Sequence, residues 1–181
     1  MFTRKIDLIA QIPDRASLPF YVSAAAVFEG NVRKAVISLK YRNERHFAKP
    51  LAKLLSNAIL RERAMNYDFD YVTWAPTTAQ HLRQRGMDHA ELIAREVGKE
   101  LGIPVKNLLR RMTHETQTHR SRQQRLLGPT FRAHCLATGR KVLVVDDVVT
   151  TGATLHAVRR AFRSIGVELV ECWAVAATPS R

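Results

Sequence analysis

Residues 141–154 read KVLVVDDVVTTGAT: an apolar run, two adjacent acids, then a loop of small and hydroxyl side chains. Like charges at the end of a buried strand are costly unless something faces them. Thr150, Thr151, Gly152, Ala153 and Thr154 fall between an expected strand and an expected helix start. A helix N-terminus leaves backbone N–H groups unpaired and carries positive partial charge, so a phosphate fits there. Gly152 allows close backbone approach, and the threonines add donors. Asp146 and Asp147 can only accept hydrogen bonds when ionised. They would repel a bare phosphate but suit the vicinal hydroxyls of a sugar. The pattern therefore predicts a ribose 5-phosphate unit, with magnesium, held mainly by water and ligand oxygens, as the natural ion.

Other anion sites fit less well. There is no G-x-x-x-x-G-K-[ST] loop and no dinucleotide fingerprint. A phosphoacceptor receiver domain can also begin VLVVDD, but residues 148–181 are too few to complete one.

The elements around this stretch alternate. Strands are predicted at 70–75, 141–146 and 168–176, and a helix at 153–165 ending at Gly166. Strand 142–145 is apolar throughout, as in a parallel sheet covered on both faces. Asp88 is placed to cap the helix HAELIAREVGKELG, with Glu91 three residues on, and Gly102 and Pro104 close it. Upstream, 20–28 reads as a strand or apolar arm. Residues 31–41 form an amphipathic helix capped by Asn31, and a second helix starts at Pro50. Residues 76–87 and 112–130 read as loops. The expected fold class is α/β, a mostly parallel sheet flanked by helices, with a small N-terminal hood. A single domain over 1–181 is expected, with the hood at about 1–68 and the core at about 69–178.

Lys plus Arg number 29 against 16 acids, a formal net charge of +13 that calls for an anionic partner. The two cysteines, Cys135 and Cys172, are far apart and read as small buried hydrophobes, so neither a zinc site nor a disulfide framework is expected. No apolar run is long enough to span a membrane, and the N-terminus makes a poor signal peptide. A cytoplasmic location is expected.

VLVVDDVVTTGAT resembles the phosphoribosyl-pyrophosphate (PRPP) motif of type I phosphoribosyltransferases. NVRKAVISLKYR, WAPTT with LRQRGMDHAELIA, and RMTHETQTHRSRQQR resemble segments of that family's ComF/GntX branch. The branch usually carries Asn and Gln where this chain has Asp88 and His89. Many members also begin with a four-cysteine zinc ribbon, which this sequence lacks. The resemblance implies that Asp146 and Asp147 face ribose hydroxyls and that Thr150–Thr154 hold the 5-phosphate. Magnesium would enter with PRPP, not through direct protein ligands.

Such a protein must also hold pyrophosphate. Lys40, Arg83, Arg85 and Gly86 are the candidates, the arginines because they can grip phosphates bidentately. The basic stretch containing Arg110, Arg111, Arg120, Arg122 and Arg125 reads as a mobile lid or a nucleic-acid arm. Tyr71, Trp74 and Trp173 suit either base stacking or the core. The expected activity is transfer of phosphoribosyl to a nitrogen acceptor with release of pyrophosphate. The second reading is a competence or DNA-uptake accessory that binds single-stranded DNA, with PRPP as a regulatory ligand. A third is a PRPP-binding regulator without turnover. No residue names the acceptor or stands out as an obligatory acid or base.

Overall fold

The computed structural model describes residues 4–7, 21–62, 68–112 and 129–179. Seven strands are described: β1 (Arg4–Asp7), β2 (Tyr21–Val27), β3 (Tyr71–Trp74), β4 (Leu109–Met112), β5 (Thr130–Ala133), β6 (Lys141–Val149) and β7 (Leu169–Ala177). Five α-helices are described with them: α1 (Gly30–Tyr41), α2 (Ala48–Glu62), α3 (Ala79–Arg85), α4 (His89–Leu101) and α5 (Ala153–Arg163). The main sheet runs β1-β2-β7-β6-β3, with β1 antiparallel and the other pairings parallel. β4 and β5 pair antiparallel in a separate two-stranded ladder.

Alternation along β6 divides the interior into two layers. Leu143 and Val145 pack with α2 and α4, among them Leu55, Ile59, Ile93 and Val97. Val142 and Val144 pack with α5 and the ladder, against Leu155, Val158, Phe162 and Phe131. This is the α/β arrangement that the continuous apolar run of β6 predicts, since both faces of the strand are covered. Trp74 and Trp173 are buried at 4% and 2% exposure, so they belong to the core and offer no stacking surface.

Several expectations need correction. The proposed hood does not stand apart from the core: β2 pairs in parallel with β7 inside the main sheet, and α2 contributes Leu51, Leu55 and Ile59 to the first layer. Glu29, not Asn31, occupies the N-cap of α1. Helix α2 begins two residues before Pro50, which sits within its first turn. The expected loop 76–87 contains α3, capped by Thr78 Oγ1 accepting from His81 N and closed by Gly86 in the left-handed conformation. Cys172 is buried as expected, and burial raises its thiol pKa, but Cys135 is exposed. No described helix is long and apolar enough to cross a membrane.

Candidate functional site

The site gathers at the carboxyl ends of the parallel strands. β3 ends at Trp74, opposite Val145, so from Asp146 onward β6 has lost one neighbour. The freed backbone is taken up locally. Asp146 Oδ1 accepts from Asp147 N at 2.8 Å, and Asp147 Oδ1 accepts from Val148 N at 2.6 Å. The pleat slips across this pair: Val148 packs on the α2/α4 layer and Val149 on the α5 layer, the reverse of the order set by Val142–Val145. Irregularities of this kind re-aim side chains at strand ends.

The two carboxylates consequently have different neighbours. Asp147 Oδ1 lies 2.7 Å from Lys40 Nζ, at the end of α1, and its side chain is 11% exposed. Asp146 lines a small hollow of about 40 Å³ with Thr150–Leu155. Among the described residues no cation pairs directly with it. Burial, reinforced by the charge of Asp147, pushes its carboxyl up to about 8.

Gly152 opens α5 with φ of 72°, a left-handed conformation that suits glycine. No side chain caps this helix and its first turn holds no acid. Thr151 Oγ1 reaches only Ala153 N, at 3.4 Å. Thr150 and Thr151 are exposed. The loop thus presents hydroxyls and a helix N-terminus to one hollow, with Asp146 on its wall.

A second cleft of about 410 Å³ lies on the Asp147 side, lined by Lys40, Tyr41, Asn43, Gln84, Arg85 and His89. The Arg85 guanidinium stands 5.1 Å above the Tyr41 ring. Of the four pyrophosphate candidates, the fold brings together Lys40 and Arg85. Arg83 is exposed and lines neither hollow, and Gly86 serves as the C-cap of α3. Asp88 ties this region together: Oδ2 accepts from Thr77 N at 2.8 Å and Oδ1 from Ala90 N at 3.2 Å. The β3–α3 loop and the start of α4 therefore share one carboxylate, whose pKa burial raises.

Arg111 is not part of a loop. It lies in β4, its guanidinium 5.5 Å above the Phe131 ring and Nη1 donating to Pro76 O at 3.3 Å. Asp146 and Asp88 are the carboxylates that offset its burial. Arg120, Arg122 and Arg125 lie outside the described residues. The reading of the sequence missed His89, Asn43 and Gln84. The signal available for His89 was the departure from the Asn-Gln pair usual in the branch it resembles.

The model of the family described as "Phosphoribosyl transferase domain" matches residues 82–181. The chain belongs to the phosphoribosyltransferase family. Within it the chain is ComF-like. It is 31% identical over 151 residues to competence protein F of Haemophilus influenzae, covering 76% of this chain and 64% of that protein. It is 27% identical over 149 residues to the DNA utilization protein YhgH of Salmonella typhimurium, covering 79% and 66%. The chain therefore spans slightly less than two thirds of the length of either relative. Among solved structures, the glutamine PRPP amidotransferase from B. subtilis matches with a TM-score of 0.50 at 23% identity, over 71% of this chain and 26% of that one, a likeness of fold.

Proposed function

We propose that this chain binds PRPP with magnesium and transfers the phosphoribosyl group to a nitrogen acceptor, releasing pyrophosphate. One observation carries the reading: an uncapped helix N-terminus, opened by left-handed Gly152 and free of acids, faces a hollow walled by Asp146. The 5-phosphate would take the N–H groups and hydroxyls of Thr150–Thr154. Ionised Asp146 would accept from the ribose diol, and the diphosphate would extend toward Lys40 and Arg85. Among the described residues no three His, Cys, Asp or Glu side chains converge on one point, and both aspartates already bind backbone N–H groups. That donor set fits a magnesium ion carried by PRPP oxygens and water, where it would offset charge on the leaving diphosphate. The protein's share of the work is orientation and electrostatic support as the C1′–O bond breaks and the C1′–N bond forms.

Calorimetry with magnesium and PRPP tests the site. Hydrogen bonds to charged groups are worth ~1.5–3 kcal/mol each, so the double variant Asp146→Ala/Asp147→Ala should bind at least about a hundredfold more weakly. Unchanged binding refutes the assignment. Pyrophosphate release across a panel of bases and amines separates transfer from binding without turnover.

A second reading, a DNA-handling role with PRPP as regulator, is supported by the net charge of +13 and by a specific contact. Exposed Arg110 and Arg132 sit directly opposite each other across the β4–β5 ladder, where like charges are unfavourable unless an anion joins them. The relatives' names, competence and DNA utilization, point the same way. Affinity for a single-stranded oligonucleotide, followed by fluorescence anisotropy, should fall steeply with salt. It should fall further in Arg110→Ala/Arg132→Ala. A flat salt response rejects this role.

A further inference from the structure

We propose that His89 is a diphosphate ligand: its imidazole, in one cleft with Lys40 and Arg85, donates an N–H to a diphosphate oxygen and takes up a proton as the diphosphate enters. The inference rests on the reading of the Lys40–Arg85 cleft as the diphosphate end of a PRPP site.

His89 is the first residue of α4, and the two hydrogen bonds to the Asp88 carboxylate fix where it stands. It is only 4% exposed, yet it lines the same cleft as Lys40 and Arg85. None of the hydrogen bonds among the described residues uses its imidazole. The ring is mostly buried, and its nitrogens are not among the sealed polar atoms of the described residues, so the cleft is where they can meet a ligand.

The charges that act on it come from three elements. Asp147 on β6 favours the protonated ring, while Arg85 on α3 and Lys40 on α1 oppose it. Burial is the largest influence, and the net result is a ring held below the usual histidine range. A third cation in this cleft would face two others, and among the described residues that act on it only Asp147 offsets them. A diphosphate reverses that balance, because it brings several negative charges to the same three side chains. Histidine is suited to such a switch because modest changes of surroundings carry it across neutrality. A glutamine in this place could donate a hydrogen bond but could not take up the proton.

The test is NMR of the histidine imidazoles in the full chain, with inorganic pyrophosphate and magnesium as the probe. At pH 7 one imidazole, identified by its absence in His89→Gln, should read as neutral in the free protein and protonated after pyrophosphate is added. Its titration should move up by at least about one pH unit, corresponding to a tenfold or greater linked change in affinity. In His89→Gln pyrophosphate should still bind, with affinity falling less on raising the pH than in the wild type. His89→Asn provides the same comparison should the glutamine variant misfold. Pyrophosphate binding that leaves the His89 ring neutral overturns the inference while the diphosphate reading stands. Failure of pyrophosphate to bind the wild type overturns both, and binding of PRPP at Thr150–Thr154 is then judged on its own calorimetry.

Discussion

Asp147 meets a cation, Lys40 Nζ at 2.7 Å, whereas Asp146, one residue earlier, meets backbone, a small hollow and the charge of its own neighbour. The sequence places the same side chain twice in a row, and the fold gives the two opposite tasks. On the Asp147 side an ion pair between α1 and β6 is satisfied within the chain. On the Asp146 side a carboxyl is held close to neutral and a helix N-terminus is left without a cap. The first arrangement contributes stability, and the second leaves a carboxyl and a helix end only partly satisfied among the described residues. This is the trade between stability and function expected at a site built to bind.

Removing the cation should disturb this contrast most. Lys40→Met leaves Asp147 largely buried and unpaired, and should cost about 3 kcal/mol in urea unfolding, the low end for a broken buried pair. A loss under about 0.5 kcal/mol would place the pair among ordinary surface contacts.

Asp146→Asn should act in the opposite direction. The folded-state pKa of about 8 lies far above the unfolded value, so between roughly pH 4 and pH 8 the unfolded chain binds fewer protons and stability falls as pH rises. Asparagine removes that loss. The variant should match the wild type near pH 4 and be more stable by about 1 kcal/mol or more at pH 8, some 2–4 °C in Tm. On the proposed PRPP reading the same group would also set the pH profile of binding. PRPP affinity should rise with pH toward 8, by up to about tenfold per unit, as Asp146 ionises to accept the ribose hydroxyls. A lower Tm at pH 8 in the variant, or a wild-type profile flat between pH 6 and pH 8, would show that the two aspartates are alike.

Gly152→Ala gives the smallest of the three effects. Forcing a Cβ into φ of 72° should cost about 1 kcal/mol in thermal unfolding and should leave the Lys40–Asp147 side untouched. An unchanged melting temperature would mean that the threonine loop relaxes freely.

Legibility in the sequence followed the range of the forces involved. β6, α5 and β7 could be read locally, because an apolar run, a glycine and an amphipathic stretch each mark their own element. Asp88 and Gly102 also announced the ends of α4, since caps act within a few residues. The membership of β2 in the main sheet could not be read, because parallel pairing with β7 joins residues far apart in the chain. Helix α3 was hidden by its length of seven residues, too short to show a period. At the site, the acid pair and threonine loop were visible as types and spacing. The parting of Asp146 from Asp147 was not, because it depends on where β3 ends. Nor was the pairing of Lys40 with Asp147, which joins an early helix to a late strand. Arg111 looked like one more loop cation until the ladder placed it over Phe131.

Beyond β7, Thr178 N donates to Val149 O at 3.0 Å, one residue before the threonine loop begins. The Thr178 amide thus carries the β6–β7 ladder, which already pairs Val148 and Val149 with Ala176 and Ala177, up to the root of the threonine loop. Whatever grips or pulls the chain just after Ala177 would act on that loop directly, without passing through the interior of the molecule.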